Sequence, residues 1–437
     1  MFGCRRGGGV ISSKVPKALQ EILRDEKKRQ KLVIYINPPY AEATTATQVT
    51  RTGKNKELVA RDNKISEKYK EALGKANNEL FAQFFMRIYM ELGGCILGCF
   101  SKLKYLNSQN FIKFREVFKA KFVNGFITPA DTFDNVKGKF PIGFLVWNTK
   151  QKETTKMVRL DIFDKNERFL GKKGFYGDKS QSINQWIKFF DNKNAQIILA
   201  FMENPTPDFQ NTKFLCILNK RGSRHNNYYA LSKESLFQGC VYFSVRHTIQ
   251  ATWINDRDQF YAPNSLWEED KEFQSDCLAF TLFHGQNRIT STEGTNHFIP
   301  FTESEIGAKS AFESDFMTCF MRGKIELDNS SDSLFGGKSM SEKLEFSPEA
   351  RAVFEAGREV FAYYHAQDFS TKPYNVNASL YDIKEFFQGR NSQGKMNLPS
   401  KAEDSHYKTL IATLADTLNT LAKKLEPKIY EYGFLKE

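Results

Sequence analysis

Residues 32–36 form a short apolar segment that is followed directly by Asn37-Pro38-Pro39-Tyr40. The two prolines remove two backbone N–H donors and fix two φ angles, so no regular strand can continue through them. Leu32 to Ile36 are therefore predicted to form a strand, buried on both faces, that ends at a stiff turn. We call residues 37–40 the Pro-Pro turn. The carbonyl groups of such a turn face outward without partners of their own.

The Pro-Pro turn has the groups needed to hold a flat amine-bearing ring. An Asn side-chain oxygen and a proline carbonyl can together accept both hydrogens of an amine. The Tyr40 ring can stack on a base that has been drawn out of a duplex. The simpler alternative is an ordinary turn that only ends a strand.

The charge of the chain favours a polyanionic partner. Its 437 residues carry a net charge of +12, and their length allows two or three domains. The excess is uneven, since residues 1–75 contain 17 Lys and Arg against 8 Asp and Glu. This places most of the positive charge around the Pro-Pro turn, as expected for a protein that binds nucleic acid.

The cysteines and the hydropathy pattern predict a soluble cytoplasmic protein. The seven cysteines are scattered, and the one close pair, Cys95 and Cys99, lies in an apolar run without a nearby histidine. We expect core thiols in a reducing compartment and no metal site. No stretch reaches 18 apolar residues, and the N-terminus lacks an apolar signal core.

The first 150 residues alternate between strand and helix patterns. A helix is predicted over residues 15–30, followed by the strand and the Pro-Pro turn, and then by a long polar, basic connection over 41–76. The pattern then predicts a helix at 80–92 that ends at Gly93-Gly94, a buried strand at 95–100 and a helix near 108–119. Two strands follow at 122–128 and 142–147.

The remainder divides by composition. Short apolar runs between Gly, Asn and Asp turns predict a strand-rich mixed domain over 151–323, with strands at 157–163, 195–202, 213–218, 238–254 and 277–283. Residues 324–345 are predicted to be a linker. A helical region is predicted over 346–437, because Ser347-Pro348-Glu349 has the composition of a helix start and leucines recur at helical spacing over about 404–425.

Several segments together resemble one enzyme family. The Pro-Pro turn resembles motif IV of the amino-methyltransferases, which methylate the exocyclic amine of adenine or cytosine in DNA. Residues 34–43, 79–88 and 125–134 are similar to the restriction–modification adenine methyltransferases in which this motif precedes a large recognition region. Residues 253–260, 276–284 and 430–434 look like the later part of the same family. Only motif IV is sharply specific.

The resemblance implies a fold and a cofactor. It implies an α/β catalytic domain over 1–150 with the second half of a class I methyltransferase (Rossmann-like) sheet, whose last two strands form an antiparallel hairpin. A mixed α+β DNA target-recognition domain and a helical C-terminal region would follow. S-adenosylmethionine is the implied cofactor. Its usual Gly-rich turn was not found, because Gly7 to Gly9 follow no strand and Gly93-Gly94 end a helix, so the cofactor-binding residues stay unknown.

The resemblance also implies roles for residues. Asn37 and the Pro38 carbonyl would accept the hydrogens of the adenine amine, Pro39 would stiffen the turn and Tyr40 would stack on the base. Phe133 would cover the other face or edge of the base. The competing interpretation is that Phe133 is a core residue, since the chain has 40 phenylalanines and most must be buried.

Eight basic residues are candidates for DNA binding. Arg and Asn side chains read guanine and adenine edges, so the loop around 220–227 is the first candidate, although phosphate contact or simple solvation would fit it too. The candidates are Arg51, Lys54 and Lys56 in the basic connection, Lys220, Arg221 and Arg224 in that loop, and the weaker Arg246 and Arg257.

Three functions remain open from the sequence. The first is an adenine-specific DNA methyltransferase that is incomplete alone. Its expected partners are double-stranded DNA and either a complementary N-terminal fragment or a restriction subunit. No membrane association is expected. The second is a non-catalytic DNA-binding specificity subunit, or half of a split methyltransferase. The third is an enzyme that methylates RNA or a protein glutamine, since an Asn-Pro-Pro-Tyr turn serves those groups too.

Overall fold

The computed structural model divides the chain into two compact units. It describes residues 15–39, 63–134, 136, 138, 140–177, 180–192, 195, 197–221, 228–324 and 344–436. Unit 1 comprises Met1–Ser180, Ala251–Gln259 and Lys436–Glu437, and unit 2 comprises Gln181–Gln250 and Phe260–Leu435. Within the described ranges, no helix has the length and apolar character that crossing a membrane requires.

Unit 1 is built on a six-stranded mixed sheet. The strands are β1 Val33–Ile36, β2 Ile96–Lys102, β3 Ala120–Pro129, β4 Pro141–Lys152, β5 Met157–Phe163 and β6 Phe169–Tyr176. Their order is β1-β2-β4-β3-β5-β6, in which β1 is parallel to β2 and β3 is parallel to β5. The predicted antiparallel hairpin is confirmed, because β3 and β4 pair antiparallel and β4 lies between β2 and β3.

Helices cover one face of this sheet. They are α1 Lys17–Arg24, α2 Glu26–Arg29, α3 Lys64–Leu73, α4 Leu80–Glu91, α5 Lys104–Asn107 and α6 Ile112–Val117. Leu97, Leu145 and Trp147 point to the covered face and share a core with Phe81 and Phe85 of α4. We call the opposite face, which carries Tyr35, Phe100 and Phe144, the open face. The predicted strand 32–36 is confirmed, but it is not buried on both faces, since Val33 and Tyr35 are 67% and 66% exposed.

Two predictions at the start of unit 1 need correction. The predicted helix 15–30 is two helices, because Asp25 is extended and its carboxylate accepts hydrogen bonds from the N–H groups of Lys27 and Lys28, which starts α2. The basic connection 41–76 is shorter than predicted. Its last part is α3, which begins at Asn63, whose side chain accepts from the N–H groups of Ile65 and Ser66.

Unit 2 combines a small sheet with most of the helices. Its three antiparallel strands have the order β8-β7-β9, with β7 Ile198–Glu203, β8 Cys216–Leu218 and β9 Tyr228–Ser232. Its helices are α7 Ile183–Ile187, α8 Leu236–Thr248, α9 Lys271–Phe283, α10 Glu303–Ile306, α11 Phe316–Met321, α12 Pro348–His365, α13 Leu380–Gln388 and α14 Ser405–Glu431.

The predicted strands at 238–254 and 277–283 are wrong, because these residues belong to α8 and α9. Both helices are buried on nearly all sides, and every residue of α9 from Phe273 to Phe283 is buried. A helix that is buried on all sides has no polar stripe. Its apolar sequence pattern therefore cannot be distinguished from that of a central strand. The predicted helix start at Ser347 is confirmed, since the Ser347 hydroxyl accepts from the N–H of Ala350 at 3.1 Å.

The two units do not coincide with the predicted domains. β5 and β6 continue the first sheet beyond residue 150, up to Tyr176. The helical region 346–437 packs into the same core as residues 181–323, since Val353 and Leu414 belong to one cluster with Leu199 and Phe280. The predicted linker at 324–345 lies mostly outside the described residues.

Three histidines of unit 2 have lowered pKa values: His365, which is buried, and His247 and His284, which are partly buried. The rings of His247 and His284 lie 4.5 Å apart, and burial, reinforced by Lys384, lowers the pKa of His284 to about 3. Burial also lowers the pKa of His247 well below its usual value, with further repulsion from His284 and Arg246. In α12, burial lowers the pKa of His365 to about 4, with a smaller effect from Lys309.

We expect unit 2 to lose stability as the pH falls below about 6.5. The unfolded imidazoles take up protons below that pH, whereas the folded rings of His284 and His365 stay neutral until about pH 3 to 4. Each of these two histidines therefore costs about 1.4 kcal/mol of stability per pH unit. His284→Asn, which keeps a hydrogen-bond acceptor for the N–H of Gln286, should remove about 2 kcal/mol of the loss between pH 7 and pH 5. Hydrogen exchange of α8 and α9 peptides measures this. The exposed His406→Asn serves as control, and an unchanged pH dependence in His284→Asn would refute the assignment.

Candidate functional site

The Pro-Pro turn lies at the carboxyl end of a parallel strand pair. Ile36 is the last residue of β1 and is paired with Cys99 of β2, so Asn37 follows at the level of Phe100. Asn37 and Pro39 are exposed, whereas Pro38 is buried. The buried proline anchors the turn, and Asn37 beside it is exposed. Tyr40 lies outside the described residues.

A cluster of aromatic rings on the open face surrounds the end of β1. Phe100, Phe144 and Phe126 stand side by side across β2, β4 and β3. The ring centroids of Phe100 and Phe144 are 4.9 Å apart, and Tyr35 contacts both rings at 6.3 and 5.8 Å. Tyr35 lies two residues before Asn37 along the chain, on this side of the sheet. The prediction concentrated on Tyr40 and missed Tyr35, although period-two alternation from Asn37 would have found it.

The structure brings Phe133 to the same edge of the sheet as Asn37. Phe133 follows β3 and is half-buried. Its ring meets the ring of Phe100 edge to face, with centroids 5.4 Å apart. Because Phe100 adjoins Cys99, which pairs with Ile36, Asn37 and Phe133 flank the end of the same parallel pair. Phe133 is therefore neither a fully buried core residue nor remote from the turn.

An ion-paired group at the carboxyl end of β2 was not predicted from the sequence. Glu79, at the start of α4, is buried, and its carboxylate lies 3.5 Å from Nζ of Lys102 and 2.9 Å from Nζ of Lys104. Lys102 ends β2, so the group ties α4 to the carboxyl edge of the sheet. Glu79 compensates the positive charge of both lysines, and the signal in the sequence was the pair of lysines at the end of the strand.

Two of the predicted DNA contacts are structural residues. Arg246, in α8, is fully buried, and its guanidinium donates to the backbone oxygens of Thr206 and Asp208 at 3.1 and 3.3 Å. Its guanidinium also lies 5.0 Å from the centre of the Phe260 ring. A buried arginine that already bonds carbonyl groups is not available to phosphates or base edges, so this prediction is corrected.

Arg257 is corrected for the same reason. It is only 6% exposed, its Nε lies 3.2 Å from the carboxylate of Asp256, and its guanidinium stands 5.5 Å from the centre of the Phe140 ring. The Arg257 carbonyl accepts a hydrogen bond from the Asn107 side chain. These contacts fix the segment Ala251–Gln259 within unit 1.

Lys220 and Arg221 are the predicted DNA contacts that remain exposed among the described residues. Nζ of Lys220 lies 3.0 Å from the carboxylate of Glu293, and the Arg221 guanidinium lies over the Tyr228 ring at 4.1 Å. Stacking on Tyr228 holds Arg221 at the surface beside β9. Arg224 in the same loop, and Arg51, Lys54 and Lys56, lie outside the described residues.

The clearest cavity in unit 1 is separate from the turn. It has a volume of about 260 Å³ and lies between α6 and the β4–β5 connection, with walls that include Phe114, Phe118 and Trp147. Of the turn's described residues, Asn37, Pro38 and Pro39, none lines it. Among the residues the structure describes, no three His, Cys, Asp or Glu side chains are grouped as a metal site would need. The candidate site is therefore the open carboxyl edge of β1 and β2.

Comparison with known proteins adds no assignment. Neither the models of protein families nor the curated proteins contain a match to this chain.

Proposed function

We propose that this chain is the target-base part of a site-specific DNA methyltransferase of a restriction–modification system, which transfers a methyl group from S-adenosylmethionine to the exocyclic amine of adenine. The observation that carries the proposal is the position of the Pro-Pro turn. Asn37 and the Pro38 carbonyl stand at the open carboxyl end of a parallel strand pair, and Phe133 reaches the same edge. Ligands of open α/β sheets bind at this end of the strands.

The proposed chemistry needs only hydrogen-bond acceptors and stacking. The Asn37 side-chain oxygen and the Pro38 carbonyl each accept one hydrogen of the adenine amine, which raises the electron density of its nitrogen lone pair. Pro38 is buried, which supports a fixed backbone at the turn. Tyr40 stacks on the extruded base, and Phe133, supported by Phe100, covers its edge.

The strand order supports a class I (Rossmann-like) catalytic sheet. A parallel pair, β1 and β2, is followed by the antiparallel pair of β3 and β4, with β4 next to β2. This is the order that the resemblance implies for the second half of such a sheet. β5 and β6 extend it on the far side.

Among the described residues of unit 1, no glycine-rich turn leads from a strand into a helix. The one described strand-to-helix connection of unit 1, between β2 and α5, is a single leucine and contains no glycine. The pair Gly93-Gly94 links α4 to β2, and the N–H of Gly94 donates to the Thr149 hydroxyl at 2.9 Å. The role proposed for this chain is therefore limited to holding the base and the DNA. A complementary N-terminal fragment is the proposed source of the cofactor site.

Residues 151–323 are proposed to read the DNA target, with Lys220 and Arg221 at the surface of unit 2 as its described contacts. An arginine held flat on a tyrosine can reach a phosphate or a guanine edge with little loss of side-chain entropy. Arg224 and the basic residues Arg51, Lys54 and Lys56 are proposed to bind the phosphate backbone. A restriction subunit is a further proposed partner.

The second candidate function is a non-catalytic DNA-binding specificity subunit, or one half of a split methyltransferase. It is favoured by one observation, the absence of a glycine-rich cofactor turn among the described residues. The two candidates differ in whether an assembly containing this chain transfers methyl groups.

The identity of the methylated base tests the proposed function. Unmethylated plasmid DNA would be incubated with tritiated S-adenosylmethionine and the complete assembly that contains this chain, and the nucleosides would then be separated by mass. We expect N6-methyl-2′-deoxyadenosine as the labelled product. Label in cytosine, in RNA or in protein, or no label with a complete assembly, would contradict the proposal.

A further inference from the structure

The outer edge of β1 has backbone groups in position to bind another strand. β1 lies at the end of the sheet and pairs with β2 alone among the described strands. The Leu32 carbonyl accepts the N–H of Ile96 at 3.0 Å, so Leu32 directs its backbone groups towards β2. Because these directions alternate along a strand, Val33 and Tyr35 direct their N–H and carbonyl groups to the outer edge. Such an edge is a template for strand addition.

The open face beside this edge is apolar over several strands. Val33, Tyr35 and Phe169 of β6 are more than half exposed, and Met157 of β5 is 48% exposed. Phe100, Phe126 and Phe144 join these residues across the centre of the sheet. A continuous apolar surface next to an unpaired strand edge indicates a protein-binding site, since both features are costly in water.

The arrangement of the rings and charges favours a polypeptide over a nucleic acid. The rings pack against one another tilted or edge to face, as Phe100 does on Phe126 at 82°, and present no row of flat faces for bases. Two of the lysines on this side are compensated. Lys172 lies 2.8 Å from Asp161, and Lys102 is paired with Glu79.

The charge at the amino end of β1 indicates an acidic partner and argues against a second copy of the chain. Lys27, Lys28 and Lys31 are exposed just before the strand, and Lys150 lies beside them, where its Nζ bonds the Gln30 side chain. Two copies that each carry +12 repel one another. A bound strand with acidic residues at its ends would be attracted by these lysines.

We propose that the outer edge of β1 and the open face bind a separate polypeptide, which adds a β-strand with alternating apolar side chains and carries acidic residues beside Lys27 and Lys31. The apolar side chains of the added strand pack on Val33 and Tyr35. The inference goes beyond the methyltransferase proposal and does not depend on it, because it uses only the edge, the open face and the flanking charge.

Fluorescence anisotropy with the full chain tests this proposal. The probe is a fluorescein-labelled peptide of sequence Asp-Asp-Glu-Val-Thr-Val-Thr-Val-Glu-Asp, whose acidic ends allow either strand direction. We expect saturable binding that Val33→Pro weakens at least tenfold, because proline removes an outward N–H while leaving the ladder to β2 intact. Tyr35→Asp should weaken binding similarly by removing the apolar contact and repelling the acidic flank. This second variant keeps the test decisive if Val33→Pro fails to fold, as circular dichroism would show.

Two controls separate the proposed surface from general adhesion. Phe189→Asp removes an exposed aromatic ring of unit 2, which is 76% exposed, and should leave peptide binding unchanged. Replacing the peptide's acidic residues by lysine should weaken binding at least tenfold. Equal binding of both peptides, no binding by the unmodified chain, or equal loss in Phe189→Asp would overturn the proposal. Two further results would also overturn it. One is binding of a labelled oligothymidylate that Tyr35→Asp abolishes while peptide binding persists. The other is a dimer, seen by sedimentation, that Tyr35→Asp abolishes while peptide binding persists.

Discussion

Asn37→Ala should abolish methylation in the active assembly while leaving the affinity for duplex DNA within about tenfold of the unmodified value. The substitution removes one of the two acceptors that hold the adenine amine, and loss of a single preorganised polar contact at a reacting group costs on the order of a hundredfold or more in rate. Affinity is preserved because contacts with phosphates dominate duplex binding, and Asn37 is not one of them.

The variants around Asn37 separate chemistry from folding. Asn37→Asp keeps an oxygen acceptor and should retain more activity than Asn37→Ala. The control is Asn419→Ala, an exposed asparagine of α14 in unit 2, which should leave the rate unchanged. Single-turnover rates and duplex affinities at one fixed salt concentration are the measurements. Retained methylation by Asn37→Ala would remove the Pro-Pro turn from the active site.

The position of the turn was predictable because its signals are local. Prolines fix φ and remove donors wherever they occur, so the end of β1 could be placed from four residues. The helix α4 and the β3–β4 pair were predictable for a related reason, since a regular apolar pattern bounded by glycine or proline defines their type and ends.

What depends on tertiary surroundings could not be predicted. The apolar run of β1 predicted burial on both faces, because an edge strand with one uncovered face has the same composition as a central one. The same ambiguity made α8 and α9 resemble strands. Arg246 was predicted to contact DNA because its neighbours in the sequence do not show that it is buried. In the fold its guanidinium donates hydrogen bonds to the carbonyls of Thr206 and Asp208. Charged residues are rarely buried, and the sequence does not show which one is the exception.

The chain alone should bind S-adenosylmethionine weakly or not at all, should bind DNA in a salt-sensitive way and should not methylate it. Cofactor binding in open α/β sheets needs backbone N–H groups at a glycine-rich turn that leads from a strand into a helix. The described strands of unit 1 provide no such turn, and the outer edge of β1 is the place at which a further strand can join the sheet.

Adding an N-terminal methyltransferase fragment that contains the glycine-rich turn should restore both cofactor binding and methylation. Calorimetry of the chain, the fragment and their mixture measures cofactor binding. Tritium transfer to DNA measures methylation. A mixture in which the chain carries Tyr35→Asp should lose cofactor affinity, whereas one with Phe189→Asp should keep it. Micromolar affinity of the chain alone would contradict this expectation and place the cofactor site among its own residues. The free edge of β1 would then have to bind something other than the cofactor-binding half of the sheet.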